Sequence, residues 1–360
     1  MKVLVYLPID AIVRTWATLL AADGHEVETT YTFSVFAKRV RWADWALANV
    51  TKNDAPRYLW KLLVSMLWAR LLGKRVALFI SIDAFDLCDR PVLRAILWVV
   101  NLITFHCATR VFLLSTRSYV ARRYRLPERR IVLVRNCPDR VKYNRTCPTR
   151  PTGPTGPTGQ ASAPLTFLYH GELLWWHGLE RFIPIYEELK KRRPVRLIVT
   201  GNFYPTAFRI LGLTASRREV AVKRELAALL RRSDIEYRGH VPIEHLRRHM
   251  AEADFHVSLA NDRDQIARTE LRTCLLEAMA AGMACLHVPT PSLDPDIFRD
   301  GENIVLIRPD DPVASAEKIL ALANCHDSLD KIRFNAARTI AEHFDMRKEY
   351  ARALAHLVIS

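Results

Sequence analysis

The sequence has no Cys-x-x-Cys pair, and its seven cysteines, an odd number, are scattered over 360 residues. That argues against a disulfide framework or a structural zinc site and fits a reducing, cytosolic setting. No stretch is long and apolar enough to cross a bilayer. The best, Ala95–Thr109, holds 15 residues between Arg94 and Arg110 and includes Asn101 and His106, whereas a spanning helix needs about 20. The opening MKVLVYLPIDAIV carries Asp10 and no small-residue cleavage site, so it reads as a first strand and not as a leader. Acidic residues are scarce in the first half. Up to Thr146 there are 24 Lys+Arg against 11 Asp+Glu, while the rest holds 29 against 27. The excess of positive charge therefore points to an anionic partner for the first half: nucleic acid, phospholipid headgroups or a phosphorylated acceptor.

What is present is an ordinary globular composition at about twice the usual domain length, which implies two domains. The stretch CPTRPTGPTGPTGQASAP, 147–164, repeats PTG three times without apolar periodicity and reads as a linker. Before it, apolar strands such as KVLVYLPI, KRVALFISI and RVFLLS alternate with helices ending at Gly24 and Gly73. After it the rhythm restarts with PLTFLYHG, VRLIVTGN, IEYRGHV and DFHVSLA. Alternation of this kind predicts two α/β domains with parallel sheets covered on both faces. The expected division is 1–146, a linker at 147–164, a second domain at 165–342 and a tail helix at 343–360 returning to the first. Ligands of such sheets bind beyond the carboxyl ends of the strands, which places the expected site in a cleft between the domains.

The stretch TCLLEAMAAGMACLHVP, Thr273–Pro289, puts one carboxylate, Glu277, into an apolar helix that ends at Gly282 and gives way to a strand. An unpaired buried charge costs several kcal/mol. Glu277 must therefore reach solvent, pair with a protein group, or face a pocket where a ligand hydroxyl can meet it.

Three blocks resemble the donor-sugar domain of the GT-B glycosyltransferases, the retaining family four type also called glycosyl transferases group 1. They are LTFLYHGELLWWHGLERFIPIYEEL, IEYRGHVPIEHLRRHMAEADFHVSLA and LLEAMAAGMACLHVPTPSLDPDIFRDGENIVLIRPDD, spanning Leu165–Asp311 in the right order. The resemblance implies two Rossmann-like parallel-sheet domains facing each other across a cleft, and metal-independent, retaining transfer of a sugar from a nucleotide-sugar to an acceptor hydroxyl. The acceptor would be a saccharide or lipid-linked saccharide of cell-surface polysaccharide or glycolipid synthesis. Glu277 would accept the ribose hydroxyls, a task suited to a carboxylate that takes two donors at once. The implied donor site comprises Gly171, His177, Gly178, Gly201, Arg268, Arg272, Thr273, Leu276 and Glu277. No cofactor is implied.

The sequence departs from the family in three places. Relatives carry a second acid eight residues before the helix Glu; here that position is Thr269, and Glu270 is offset by one, either near the donor sugar or a plain helix-start acid. The loop Arg and Lys of many relatives are replaced by Glu172 and His177, with Arg268 and Arg272 as candidate replacements for neutralising the diphosphate. The first half resembles the family in ATRVFLLSTRSYVARRYRLPERRIVLVRNCPD but offers no His after VALFISI, only Asp83 and Asp86. Asp83 is a candidate catalytic group for an acceptor hydroxyl or a strand-end cap or ion pair. Trp175 and Trp176 are loop packing or a sugar-stacking edge. Asp262-Arg263-Asp264 imitates a metal motif of another fold, and the run Arg122-Arg123-Tyr124-Arg125 comes with no recognised nucleic-acid motif, so no nucleic-acid partner is expected. The basic, Trp-bearing helix near Tyr58–Leu72 suits peripheral contact with an anionic membrane, at the cytoplasmic face. A GT-B protein that binds nucleotide-sugar or membrane without transfer is the alternative reading.

Overall fold

A computed structural model describes residues 1–6, 11–50, 55–80, 83, 85–86, 88–114, 118–138, 143, 163–174, 176–202, 209–210, 213–214, 216–260, 268–269 and 271–358. The linker expected at 147–164 lies almost wholly outside these. The chain forms two compact units: Met1–Asn136 with Ala207–Arg217 and Arg347–Ser360, and Cys137–Thr206 with Arg218–Met346.

The first unit is built on six parallel strands: β1 (Lys2–Tyr6), β2 (Glu26–Thr30), β3 (Trp45–Val50), β4 (Arg75–Ile80), β5 (Arg110–Leu114) and β6 (Ile131–Val134), in the order β2-β1-β3-β4-β5-β6. Val76–Ile80 and Val111–Leu113 are wholly buried, as strands covered on both faces must be. The covering helices are α1 (Ala11–Ala22), α2 (Phe33–Arg39), α3 (Ala55–Leu71), α4 (Pro91–Cys107) and the short α5 (Tyr119–Arg123). Trp16 of α1 seats edge-on against Phe79 and Phe112, which anchors that helix to the middle of the sheet. Strand β3 and helix α2 answer to no element of the sequence reading.

The second unit repeats the plan with β7 (Leu165–His170), β8 (Val195–Thr200), β11 (Ile235–Gly239), β12 (Phe255–Val257), β13 (Ala284–His287) and β14 (Val305–Leu306). Their order is β11-β8-β7-β12-β13-β14, all parallel. The short antiparallel pair β9 (Arg209–Ile210) and β10 (Leu213–Thr214) groups with the first unit. Helices α6 (Ile183–Lys190), α7 (Arg217–Leu229), α8 (Ile243–Glu252), α9 (Thr273–Ala280), α10 (Pro312–Asn324) and α11 (His326–His343) flank the second sheet, and α12 (Met346–Val358) follows. All of α12 beyond its first residue belongs to the first unit, where the Tyr350 hydroxyl donates to Asp23 at 2.8 Å.

Counted from β7, the strand order in this sheet runs 3-2-1-4-5-6, so the direction of winding reverses between β7 and β12. Crossovers leave on opposite sides there and open a crevice at the carboxyl ends, the place where doubly wound sheets hold ligands. The glycine turns Gly171 and Gly201 and the candidate residue Glu277 lie at this end of the sheet.

Candidate functional site

The floor of the crevice is backbone. Gly171, directly after β7, sits at φ +120°, and Gly201, directly after β8, at φ +135°. A Cβ on Gly201 would stand 1.7 Å from the Gly171 carbonyl oxygen, so no side chain fits. A Cβ on Gly171 would press at 3.3 Å on Cys274, at the start of α9. The ladder continues through these turns: the Gly171 N–H donates to Thr200 and the Gly201 N–H to Gly239. Gly178 ends the loop at φ +68° and opens a single 3₁₀ turn, Leu179–Phe182, leading into α6.

Helix α9 brings Glu277 to this floor. Cys274, Leu275, Leu276, Ala278 and Met279 are buried, which leaves Thr273 and Glu277, one turn apart, on the open face. The helix stops in a Schellman motif: the Met283 N–H reaches the Ala278 carbonyl, the Gly282 N–H reaches Met279, and Gly282 takes φ +77°. Leu276, expected at the donor site, has a fully buried side chain and serves the core.

The Glu277 side chain is 19% exposed, and its Oε2 lies 3.2 Å from His170 Nε2 at the end of β7. His170 thus donates to one carboxylate oxygen, and among the described residues the other has no partner. Glu277 is both paired and open. His170 went unremarked in the sequence; the signal was a histidine closing an apolar strand just before the loop glycine.

Behind His170 lie two more histidines, one on each of the next strands. The His170 and His256 rings stand 4.7 Å apart, and His287 Nδ1 donates to the Val288 carbonyl at 2.6 Å. Both are fully buried, and both His256 ring nitrogens, the Ser258 hydroxyl and His287 Nε2 lack partners among the described residues. Burial, with repulsion from His170, Arg272 and His287, holds His256 well below the ordinary imidazole range, and burial holds His287 down to about 4. The sign follows directly. A buried neutral histidine contributes stability that is present above its unfolded value, about 6.5, and is lost as pH falls toward 4. His287→Leu should therefore remove part of the acid sensitivity. Against wild type, its unfolding free energy should gain about 2 kcal/mol between pH 7 and pH 5; parallel pH profiles would refute this.

Arg272, at the N-cap of α9, is only 3% exposed. One terminal nitrogen donates to the His177 and Leu259 carbonyls at 3.4 and 3.3 Å, and the other to the Tyr169 hydroxyl at 3.1 Å. The Tyr169 hydroxyl in turn donates to the Glu172 carbonyl, and His177 Nδ1 donates to the same oxygen at 2.7 Å. Arg272 and His177, expected to face a diphosphate, are instead turned inward and brace the loop. The reason is local: four acceptors, the His177, Leu259 and Glu172 carbonyls and the Tyr169 hydroxyl, take hydrogens from these two side chains, and an unmet buried acceptor is costly. Arg268 is exposed. Glu270, Trp175 and Asp262–Asp264 lie outside the described residues, while Trp176 is wholly buried, a packing residue.

In the first unit, Asp83 lies just past β4 and is completely buried. Its Oδ1 accepts from the Phe85 N–H, the Asn101 amide and the Tyr124 hydroxyl at 3.0, 2.9 and 3.1 Å, and its Oδ2 accepts from Arg123 at 2.6 Å. Arg123 also grips Asp86 at 2.8 Å, to which the Tyr119 hydroxyl donates at 2.6 Å. Burial, with Asp86 alongside, pushes the Asp83 carboxyl up to about 6 in spite of Arg123. A carboxylate with four donors and no exposed surface is placed as an ion-pair anchor; as it stands it touches no outside hydroxyl.

Residues 164–325 match the family model of glycosyl transferases group 1. No curated protein sequence matches the chain. Among solved structures, Anabaena HepE in complex with UDP-glucose aligns with a TM-score of 0.68 at 15% identity, over 100% of both chains. Sucrose-phosphate synthase from Thermosynechococcus elongatus gives 0.70 at 13% identity, over 99% of this chain and 98% of that one. An alpha-glucosyltransferase in complex with UDP-glucose and DNA containing an abasic site gives 0.63 at 13%, with coverages of 99% and 98%. At such identities the likeness is one of fold. The two six-stranded parallel sheets and the glycine floor give this chain the GT-B fold of these glycosyltransferases, and its residues 164–325 carry the match to glycosyl transferases group 1.

Proposed function

We propose that the chain transfers a sugar from a uridine diphosphate-sugar to a hydroxyl of a saccharide or lipid-linked saccharide, with retention of configuration and without a metal, in the making of cell-surface polysaccharide or glycolipid. The observation that carries this reading is Glu277, partly open to solvent and held by His170 on one oxygen, at the reversal of strand order. Such a carboxylate accepts a pair of vicinal ribose hydroxyls through charge-assisted bonds. The start of α9 and the Gly171 loop set the positive end of a helix and backbone N–H groups beside it, where a diphosphate is favoured. Uridine is the first choice of base because HepE and the glucosyltransferase were solved with UDP-glucose. Catalysis then rests on positioning and on stabilising the leaving diphosphate. Asp83 keeps the acceptor-side loop in place through Arg123 and does not act as a base.

A second reading, binding without transfer, draws support from the inward Arg272 and His177, which leave the diphosphate without those two side chains. A thermal-shift panel of UDP, GDP, ADP and TDP, followed by a turnover assay with the matching sugar donors, tests both. UDP at 100 times its dissociation constant should stabilise the fold by about 2.7 kcal/mol. No shift with any nucleotide would sink the donor site; a shift without turnover would favour the second reading.

A further inference from the structure

Helices α3 and α4 pack side by side in the first unit, and each is apolar on two faces. The inner faces supply Leu62, Met66, Leu93, Leu97 and Phe105 to the core. The outer face of α4 carries Val92, Ile96, Val99 and Ile103 in exposed positions, spaced by four, three and four residues, which is one continuous stripe on a helix. On α3, Trp60, Leu67 and Leu71 repeat the pattern, with Trp60 68% and Leu71 80% exposed. Neighbouring helices that carry an exposed apolar stripe besides the face they bury mark a surface for a further partner.

The charges say which partner. Neither helix contains a single Asp or Glu, while Lys61, Arg70 and Arg94 are exposed on them. Trp68 and Trp98 sit half-exposed among these cations. Basic side chains, interfacial tryptophans and an aliphatic stripe, with carboxylates excluded, match the boundary between headgroups and acyl chains. Among the described residues no helix is long and apolar enough to cross a membrane, so the pair would lie on the bilayer. We infer that the outer face of α3 and α4 docks the first unit on an anionic phospholipid bilayer, the apolar stripes entering the interface and Lys61 and Arg94 meeting headgroup phosphates. This surface stands independently of the donor site.

The test is co-sedimentation of the full chain, without nucleotide, with vesicles of phosphatidylcholine alone or mixed with phosphatidylglycerol. Wild type should pellet with the mixed vesicles, less so as salt rises, and stay in solution with phosphatidylcholine. Removing one cation by Lys61→Gln or Arg94→Gln should weaken binding roughly fivefold each, from about 1 kcal/mol per basic residue. The triple variant Ile96→Ser/Val99→Ser/Ile103→Ser should stay in solution while keeping the wild-type circular dichroism spectrum and nucleotide response. Equal pelleting with both vesicles, or with neither, overturns the inference. So does a dimer in light scattering that the triple variant splits while vesicle binding is absent, since the face would then belong to a second copy of the chain.

Discussion

Asp83→Ala should destabilise the first unit by about 3–5 kcal/mol, the range for breaking a buried charge pair from one side. The substitution leaves the Asn101 amide, the Tyr124 hydroxyl and the Phe85 N–H facing an empty space, and takes from Arg123 the nearer of its two carboxylates. At about 2–4 °C per kcal/mol for units of this size, the melting midpoint should fall by roughly 10 °C. Asp83→Asn should lose less, because one amide oxygen can still serve the three Oδ1 donors and Arg123 retains Asp86. Melting curves of both variants, set beside transfer rates, separate anchor from base. If Asp83→Asn melts like wild type yet abolishes transfer, the residue acts on substrate and the anchoring account is wrong.

Glu277→Ala should weaken nucleotide binding by about two orders of magnitude, the equivalent of about 3 kcal/mol for hydrogen bonds to a charged acceptor. Glu277→Gln should lose about tenfold, since its carbonyl oxygen can still take one hydroxyl or the His170 N–H but carries no charge. The loss has a signature that simple destabilisation lacks. Wild type should prefer UDP to 2′-deoxy-UDP, and Glu277→Ala should bind the two alike, because the deoxy ligand has already given up a hydroxyl that Glu277 would accept. Isothermal titration with both nucleotides reads this out. An unchanged preference in the alanine variant would mean that Glu277 lies away from the ribose.

Much of the second unit could be read from the chain because its signals were local. Glu277 stood out as one charge in an apolar helix, and Gly282 announced the helix end that the Schellman bonds now show. What escaped was set by distant partners. Strand β3, WALANV, lies between β1 and β4 with Ala46 and Ala48 fully buried, yet alanine and asparagine are poor strand formers; only the sheet around it makes it a strand. The histidines of β7, β12 and β13 come from three separate stretches and meet only because β12 was laid between the other two. Arg272 read as a candidate for neutralising a diphosphate, and nothing in the local pattern told which way it would turn. Its direction is decided by carbonyls at His177 and Leu259.

The clash between any Gly201 side chain and the Gly171 carbonyl also says how this protein can be retuned. A surface made of main chain offers nothing to exchange, so a drift from one donor to another cannot be written there. Under the proposed donor site, variation has to enter through the rim, at Thr273 and the loop before Gly178, while the two glycines keep the same shape whatever sugar arrives. A library directed at donor choice should leave Gly171 and Gly201 untouched and spend its diversity on those rim positions.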